Sequence, residues 1–190
     1  MLENIDLKIK TENILFFDMD GTLIDTNYAN FLSYKKAIEF VKKMDFNIAY
    51  NPTQRFNRSL LKTTIPNLTE IELEMIVSEK EKCYNDFLSE TQLNNEIAKV
   101  LYKYCKTNKT VLVTNCRKDR ALATLNYHGL TDKFSDFFFR QFNENKINKF
   151  QNAISCLGVS AKQIIAFENE EMEITDAKNA GIQYINPKIS

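Results

Sequence analysis

Ile14-Leu15-Phe16-Phe17 is a run of four large apolar residues that passes directly into Asp18-Met19-Asp20-Gly21. Four residues are too few for a buried helix, and an unbroken apolar run of this length suits a buried strand. Carboxylates are costly in such surroundings, so two of them, one residue apart at the strand's end, need a chemical reason to be there. Side chains at i and i+2 of an extended segment share a face, which aims Asp18 and Asp20 at one point. Gly21 then lets the backbone turn sharply beside them.

The chain alternates after residue 92. Helical periodicity predicts helices over 93–107, 118–129, 147–158 and 171–181, with Gly129 suited to a C-terminal cap. Between them lie apolar runs that predict strands: "TVLVTN" (110–115), "DFFF" (136–139), "QIIAF" (163–167) and "IQYIN" (182–186). This order predicts an α/β protein whose parallel sheet is covered by helices on both faces. From Tyr28 to Leu93 only helical signals occur, over 28–44 and 69–88, punctuated by Pro52 and Pro66. Thr69 and Glu72 have capping-box spacing at the start of the second of these. Residues 27–92 therefore read as a small helical unit inserted into a sheet domain made of 1–26 and 93–190.

Composition excludes several classes. The 190 residues carry a formal net charge of zero, which argues against a nucleic-acid partner. The four cysteines are widely spaced, so a zinc site or disulfide framework is not expected, and reduced thiols suit a cytoplasmic protein. The first thirteen residues are too polar for a signal peptide, and no apolar run approaches the ~20 residues of a membrane helix.

An open parallel sheet gathers ligands at the carboxyl ends of its strands. Asp18 and Asp20, then Thr114 and Asn115, then Glu168 to Glu171 all fall at such ends, and Lys146 precedes a helix after the third strand. Together they suit phosphoryl transfer. A carboxylate attacks phosphorus, Mg²⁺ offsets the repulsion between two anions, and a second carboxylate moves the proton of the leaving oxygen. A hydroxyl and an ammonium hold the other phosphate oxygens. Simpler readings fit less well. A hairpin at "DG" would need strand alternation after it, and an EF-hand counted from Asp18 would meet Leu23 at its glycine position and Ala29 at its glutamate position. Thr114, Lys146 and the glutamates would each pass alone for a strand end, a surface charge or a helix start; their joint placement carries the case.

These residues resemble the haloacid dehalogenase-like (HAD) hydrolases. "DMDGTLID" looks like the family's first motif, "VLVTN" its second, Lys146 in "ENKINKF" stands in place of the third, and "IIAFENEEMEITDAKNAGI" resembles the fourth. The resemblance implies a Rossmann-like core with a helical cap like that of the phosphoglycolate phosphatase and β-phosphoglucomutase subgroup. It implies Asp18 as nucleophile and Asp20 as general acid/base. It implies Mg²⁺ held by the Asp18 carboxylate, the Asp20 carbonyl and a fourth-motif side chain, Glu168 or Asn169. Thr114 and Lys146 would hold the phosphoryl group, with the amides of Gly21 and Asn115 adding to the cradle. An acid at position 20 favours a phosphate monoester as substrate, through hydrolysis or a mutase reaction.

Two positions depart from the pattern. Asn169 stands where the family usually carries aspartate, which removes a negative charge from the metal site and motivates a third reading, a binding or regulatory protein. Ile147 replaces the proline that commonly follows the third-motif lysine, and Lys149 rivals Lys146 for that role. In the cap, Arg55, Arg58 and Lys80 are the charged candidates for contacting the substrate, Lys80 by its likeness to the family's Lys-x-x-x-Tyr element. Each also fits a solvated helix face. His128, the one histidine, reads as structural.

Overall fold

The computed structural model describes residues 6–140 and 147–189. In chain order the elements are β1 (Asp6–Leu7), β2 (Ile14–Phe17), β3 (Ile24–Asp25), α1 (Asn27–Lys42), α2 (Arg58–Thr64), α3 (Glu70–Cys83), β4 (Gln92–Leu93), α4 (Asn95–Tyr104), β5 (Lys109–Val113), α5 (Lys118–Tyr127), β6 (Asp136–Phe138), α6 (Lys149–Leu157), β7 (Ile164–Phe167), α7 (Glu171–Asn179), β8 (Tyr184–Ile185) and β9 (Lys188–Ile189). Five strands form one parallel sheet in the order β6-β5-β2-β7-β8. This is a Rossmann-like α/β sheet. It grows outward from its central strand β2 through β5 and β6, then resumes on the other side with β7 and β8. That reversal beside β2 is where such sheets open a ligand crevice.

Strand alternation sorts the core into two layers. Leu15, Phe17, Leu112, Ile165 and Phe167 face one side, where they pack with Ala98 and Leu101 of α4 and Ala121 and Leu125 of α5. Phe16, Val111, Val113, Ile164 and Ala166 face the other, against Phe150 and Ala153 of α6 and Ala177 of α7. Both faces of β2 are thus buried, which explains its unbroken apolar run. Phe17 stacks on Phe167 at 4.8 Å and meets Phe134 edge-on at 5.9 Å.

Asp25–Gln92 forms a separate compact unit. Its core gathers Phe31, Tyr34, Ala37 and Ile38 of α1, Phe56, Leu61 of α2, and Leu73 and Ile76 of α3. The Thr69–Glu72 capping box opens α3 as the spacing predicts. The single helix expected over 69–88 ends at Cys83, and a 3₁₀ segment follows over Tyr84–Glu90, kinked at Phe87. The strand expected over 182–186 shortens to Tyr184–Ile185; Asn186 follows it in a left-handed conformation with φ 50°, its N–H still donating to the Ala166 carbonyl at 2.8 Å. The short strands β3 and β4 pair with each other where the chain leaves and rejoins the sheet domain, a pairing too brief for periodicity to reveal. No helix among the described residues is long and apolar enough to cross a membrane.

Phe17 is fully buried at the strand position just before Asp18. Phe17→Ala is expected to cost about 3–5 kcal/mol in urea unfolding, with Phe17→Leu losing clearly less. A loss under about 1 kcal/mol for the alanine variant would contradict this packing.

Candidate active site

Asp18 extends β2 by one more ladder bond, its N–H donating to the Phe167 carbonyl at 3.0 Å. The chain then turns tightly. The N–H groups of Thr22, Leu23 and Ile24 all point at the Met19 carbonyl, and Gly21 sits at φ 86° with its own N–H on the Ile24 carbonyl. The Gly21 amide, expected in a phosphate cradle, is therefore spent inside the turn. What Gly21 supplies is space: a Cβ there would lie 2.8 Å from Nδ2 of Asn169. Thr22 completes the contact, its hydroxyl donating to Asn169 Oδ1 at 2.9 Å and accepting from the Asn169 N–H at 3.1 Å.

Lys149 is the cation that reaches Asp18. It is the first residue of α6, whose start is capped by Asn148; the Asn148 amide also donates to the Asp176 carbonyl on α7. From there Nζ reaches Asp18 Oδ1 at 2.8 Å, Glu168 Oε2 at 2.7 Å and Glu173 Oε2 at 2.9 Å. Lys146, weighed first for this role in the sequence, lies outside the described residues; Lys149, its rival, is the lysine placed on Asp18. Alternation along β2 puts Asp18 on the α6 side with Phe16, which is why a lysine at the head of α6 can meet it.

The three carboxylates are themselves fixed. Glu168 is buried, and its Oε1 accepts the N–H groups of Asn169 and Glu170. Its backbone is gripped on both sides by the Asn186 side chain, which accepts from the Glu168 N–H and donates to its carbonyl. Both Glu168 oxygens thus meet protein donors, and the residue serves as an anchor for Lys149. Glu173 Oε1 accepts from the Asn115 amide at 2.6 Å, tying the loop after β5 into the cluster. Thr114, buried in the same loop, accepts the Cys116 N–H on its hydroxyl.

Asp20 is buried as well and pairs with Arg120 of α5 at 3.3 Å. Arg120 and Asn186 were not singled out in the sequence, and neither carried a signal there. Glu173 did: it stands in the later acidic place of the fourth motif, where it was weighed with Glu168 as a residue that could reach the metal, and the structure puts it on Lys149 and Asn115. The cap candidates belong to the helical unit. Arg58 is engaged there by Glu74 and Glu70, Lys80 is buried against the rings of Tyr34 and Tyr84 beside Glu81, and Arg55 is half-exposed.

Electrostatically the site is crowded. Burial pushes Asp18 up from 3.8 to about 7; Lys149 opposes that rise, and Glu168 and Asp20 add to it. Burial works against the charge of Lys149, but the three carboxylates outweigh it and hold its ammonium well above the usual range. These ion pairs join four carboxylates to two cations, a formal excess of two negative charges.

The model of the haloacid dehalogenase-like hydrolase family matches residues 15–186, and the chain belongs to that family. It is an enzyme of the hydrolase class. Solved structures share the fold: a predicted phosphoglycolate phosphatase from Haemophilus somnus (TM-score 0.72, 20% identity, 93% of this chain and 88% of that one), CbbY from Rhodobacter sphaeroides in complex with phosphate (0.72, 16%, 92% and 86%), and a haloacid dehalogenase-like hydrolase from Streptococcus pneumoniae (0.70, 16%, 92% and 83%). No curated protein matches the sequence.

The raised Asp18 value has a measurable sign. The folded carboxyl holds its proton to higher pH than the unfolded one, so its contribution to stability is full below about pH 4 and is lost as pH rises towards about 7. In chelator, the stability of Asp18→Asn relative to wild type is expected to climb between about pH 5 and about pH 7, by up to about 1.4 kcal/mol per pH unit. A pH-independent difference would contradict the assignment.

Proposed function

We propose that the protein is a Mg²⁺-dependent phosphatase of a small-molecule phosphate monoester, acting through an aspartyl-phosphate on Asp18. The observation that carries this reading is the buried Asp18 carboxylate at the end of the central strand, held by Lys149 at 2.8 Å, with Asp20 two residues on.

Asp18 Oδ attacks phosphorus, and the bond to the leaving alkoxide breaks. Asp20 protonates that alkoxide and later takes a proton from the water that cleaves the acyl phosphate. Lys149 and the Thr114 hydroxyl bind the non-bridging oxygens, and Lys149 also keeps the attacking carboxylate oriented. Among the described residues, no three His, Cys, Asp or Glu side chains group as a metal cage. The proposed ligands are instead the Asp18 carboxylate, the Asp20 backbone carbonyl and the Asn169 side-chain oxygen. All are oxygen donors, as a hard divalent cation requires, and the formal negative excess of the cluster suits one. When bound, Mg²⁺ supplies charge neutralisation between carboxylate and phosphate.

The test is a panel of phosphomonoesters assayed for phosphate release. Release with Mg²⁺ is expected from at least one member, abolished by chelator and reduced more than about 10³-fold in Asp18→Asn. Turnover that survives Asp18→Asn overturns the mechanism. Isomerisation of a sugar phosphate without net release would assign a mutase. No turnover across the panel, with no Mg²⁺ binding by calorimetry, would favour a regulatory protein.

Lys149 gives a second prediction. Lys149→Met leaves three carboxylates without their shared cation, so activity is expected to fall more than about 100-fold. Lys149→Arg, which keeps charge but not shape, should rescue only part of it. Full activity in Lys149→Met would remove Lys149 from the phosphoryl site.

A further inference from the structure

In the role proposed above, Asp20 presents its carboxyl to the leaving oxygen, and α5 supplies a contact that can hold it there. Arg120 Nη2 lies 3.3 Å from Asp20 Oδ2, and both side chains are nearly buried, 11% and 7% exposed. The guanidinium is held from behind, because Nε donates to the Cys116 sulfur at 3.0 Å. Cys116 is itself buried and fixed, its N–H on the Thr114 hydroxyl at 3.1 Å and its carbonyl accepting the Arg140 N–H at 3.0 Å. The contacts form a continuous line from Thr114 through Cys116 and Arg120 to Asp20.

We propose that Arg120 is the positioning residue of Asp20, holding the carboxyl in the site and tying it to the loop that carries Thr114. The proposal rests on the acid/base role assigned above to Asp20. A planar guanidinium suits the task, since its donors diverge in fixed directions and one group can grip sulfur and carboxylate together. A shift of Asp20 by an ångström would weaken proton delivery to the leaving group while leaving phosphate binding through Lys149 in place.

The test separates leaving groups. An aryl phosphate such as p-nitrophenyl phosphate loses a stable phenolate without a proton, whereas an alkyl phosphate must have its alkoxide protonated. The value of kcat/KM covers the steps through departure of the leaving group, so it isolates the acid role from later hydrolysis. Arg120→Met, Arg120→Lys and Asp20→Asn are assayed with Mg²⁺ on p-nitrophenyl phosphate and on the best alkyl phosphate of the panel. Arg120→Met is expected to lower kcat/KM about 10–100-fold on the alkyl ester and less than about threefold on the aryl ester. Arg120→Lys should recover part of the alkyl activity, and Asp20→Asn should show the same selectivity more strongly. Equal losses on both esters, or no loss on the alkyl ester, overturn the proposal. If Asp20→Asn fails to discriminate between the esters, the acid/base reading of Asp20 falls, and the role of Arg120 falls with it. Melting curves identify any variant that fails to fold; the lysine variant, which keeps the charge and most of the volume, then decides the question.

Discussion

A single ammonium surrounded by three carboxylates, within 2.7 to 2.9 Å of each, organises this end of the sheet. An ion cluster taken out of water is stable only if its geometry is good and its spare hydrogen-bonding capacity is met. Here each partner is braced separately: Lys149 by the capped head of α6, Glu168 by Asn186 and two backbone N–H groups, Glu173 by Asn115. Segments from three distant parts of the chain are joined through one charged atom, and Asn115 adds a fourth through Glu173. The sheet brings them close, and the lysine sets their relative positions.

This arrangement explains how the protein tolerates a buried carboxylate that its own interior disfavours. Burial raises Asp18, and Lys149 offsets that only in part. The strain is confined to a residue at the carboxyl edge of the sheet, while the strand behind it is fully apolar and buried on both faces. Functional sites are where local preferences are expected to be violated, and the surrounding packing makes good the loss.

The sheet and its order of elements were legible because strand and helix periods differ so plainly after residue 92, and because Asp18 and Asp20 interrupt an apolar strand. Less was legible where tertiary contact decides. Lys146 and Lys149 are indistinguishable by composition, and the choice turns on which residue heads α6. Arg120 lies on a helix where a charge reads as solvated surface, and nothing in the spacing announces that it turns inward to Asp20. The last strand is shorter than its apolar run suggested, and nothing in the sequence announced that the Asn186 side chain would turn back to hold Glu168. The change from α3 to a 3₁₀ segment after Cys83 has no breaker residue to announce it: Tyr84 keeps right-handed helical angles, and the kink falls at Phe87.

The notch at Gly21 has an evolutionary corollary. Because the amide of Asn169 fills the space a side chain at 21 would need, the two positions cannot drift independently. Asparagine and aspartate, however, have nearly the same shape. An exchange of one for the other at 169 would therefore change the charge beside Gly21 while keeping nearly the same volume in the notch, and under the proposed Mg²⁺ site it would change the charge offered to that ion.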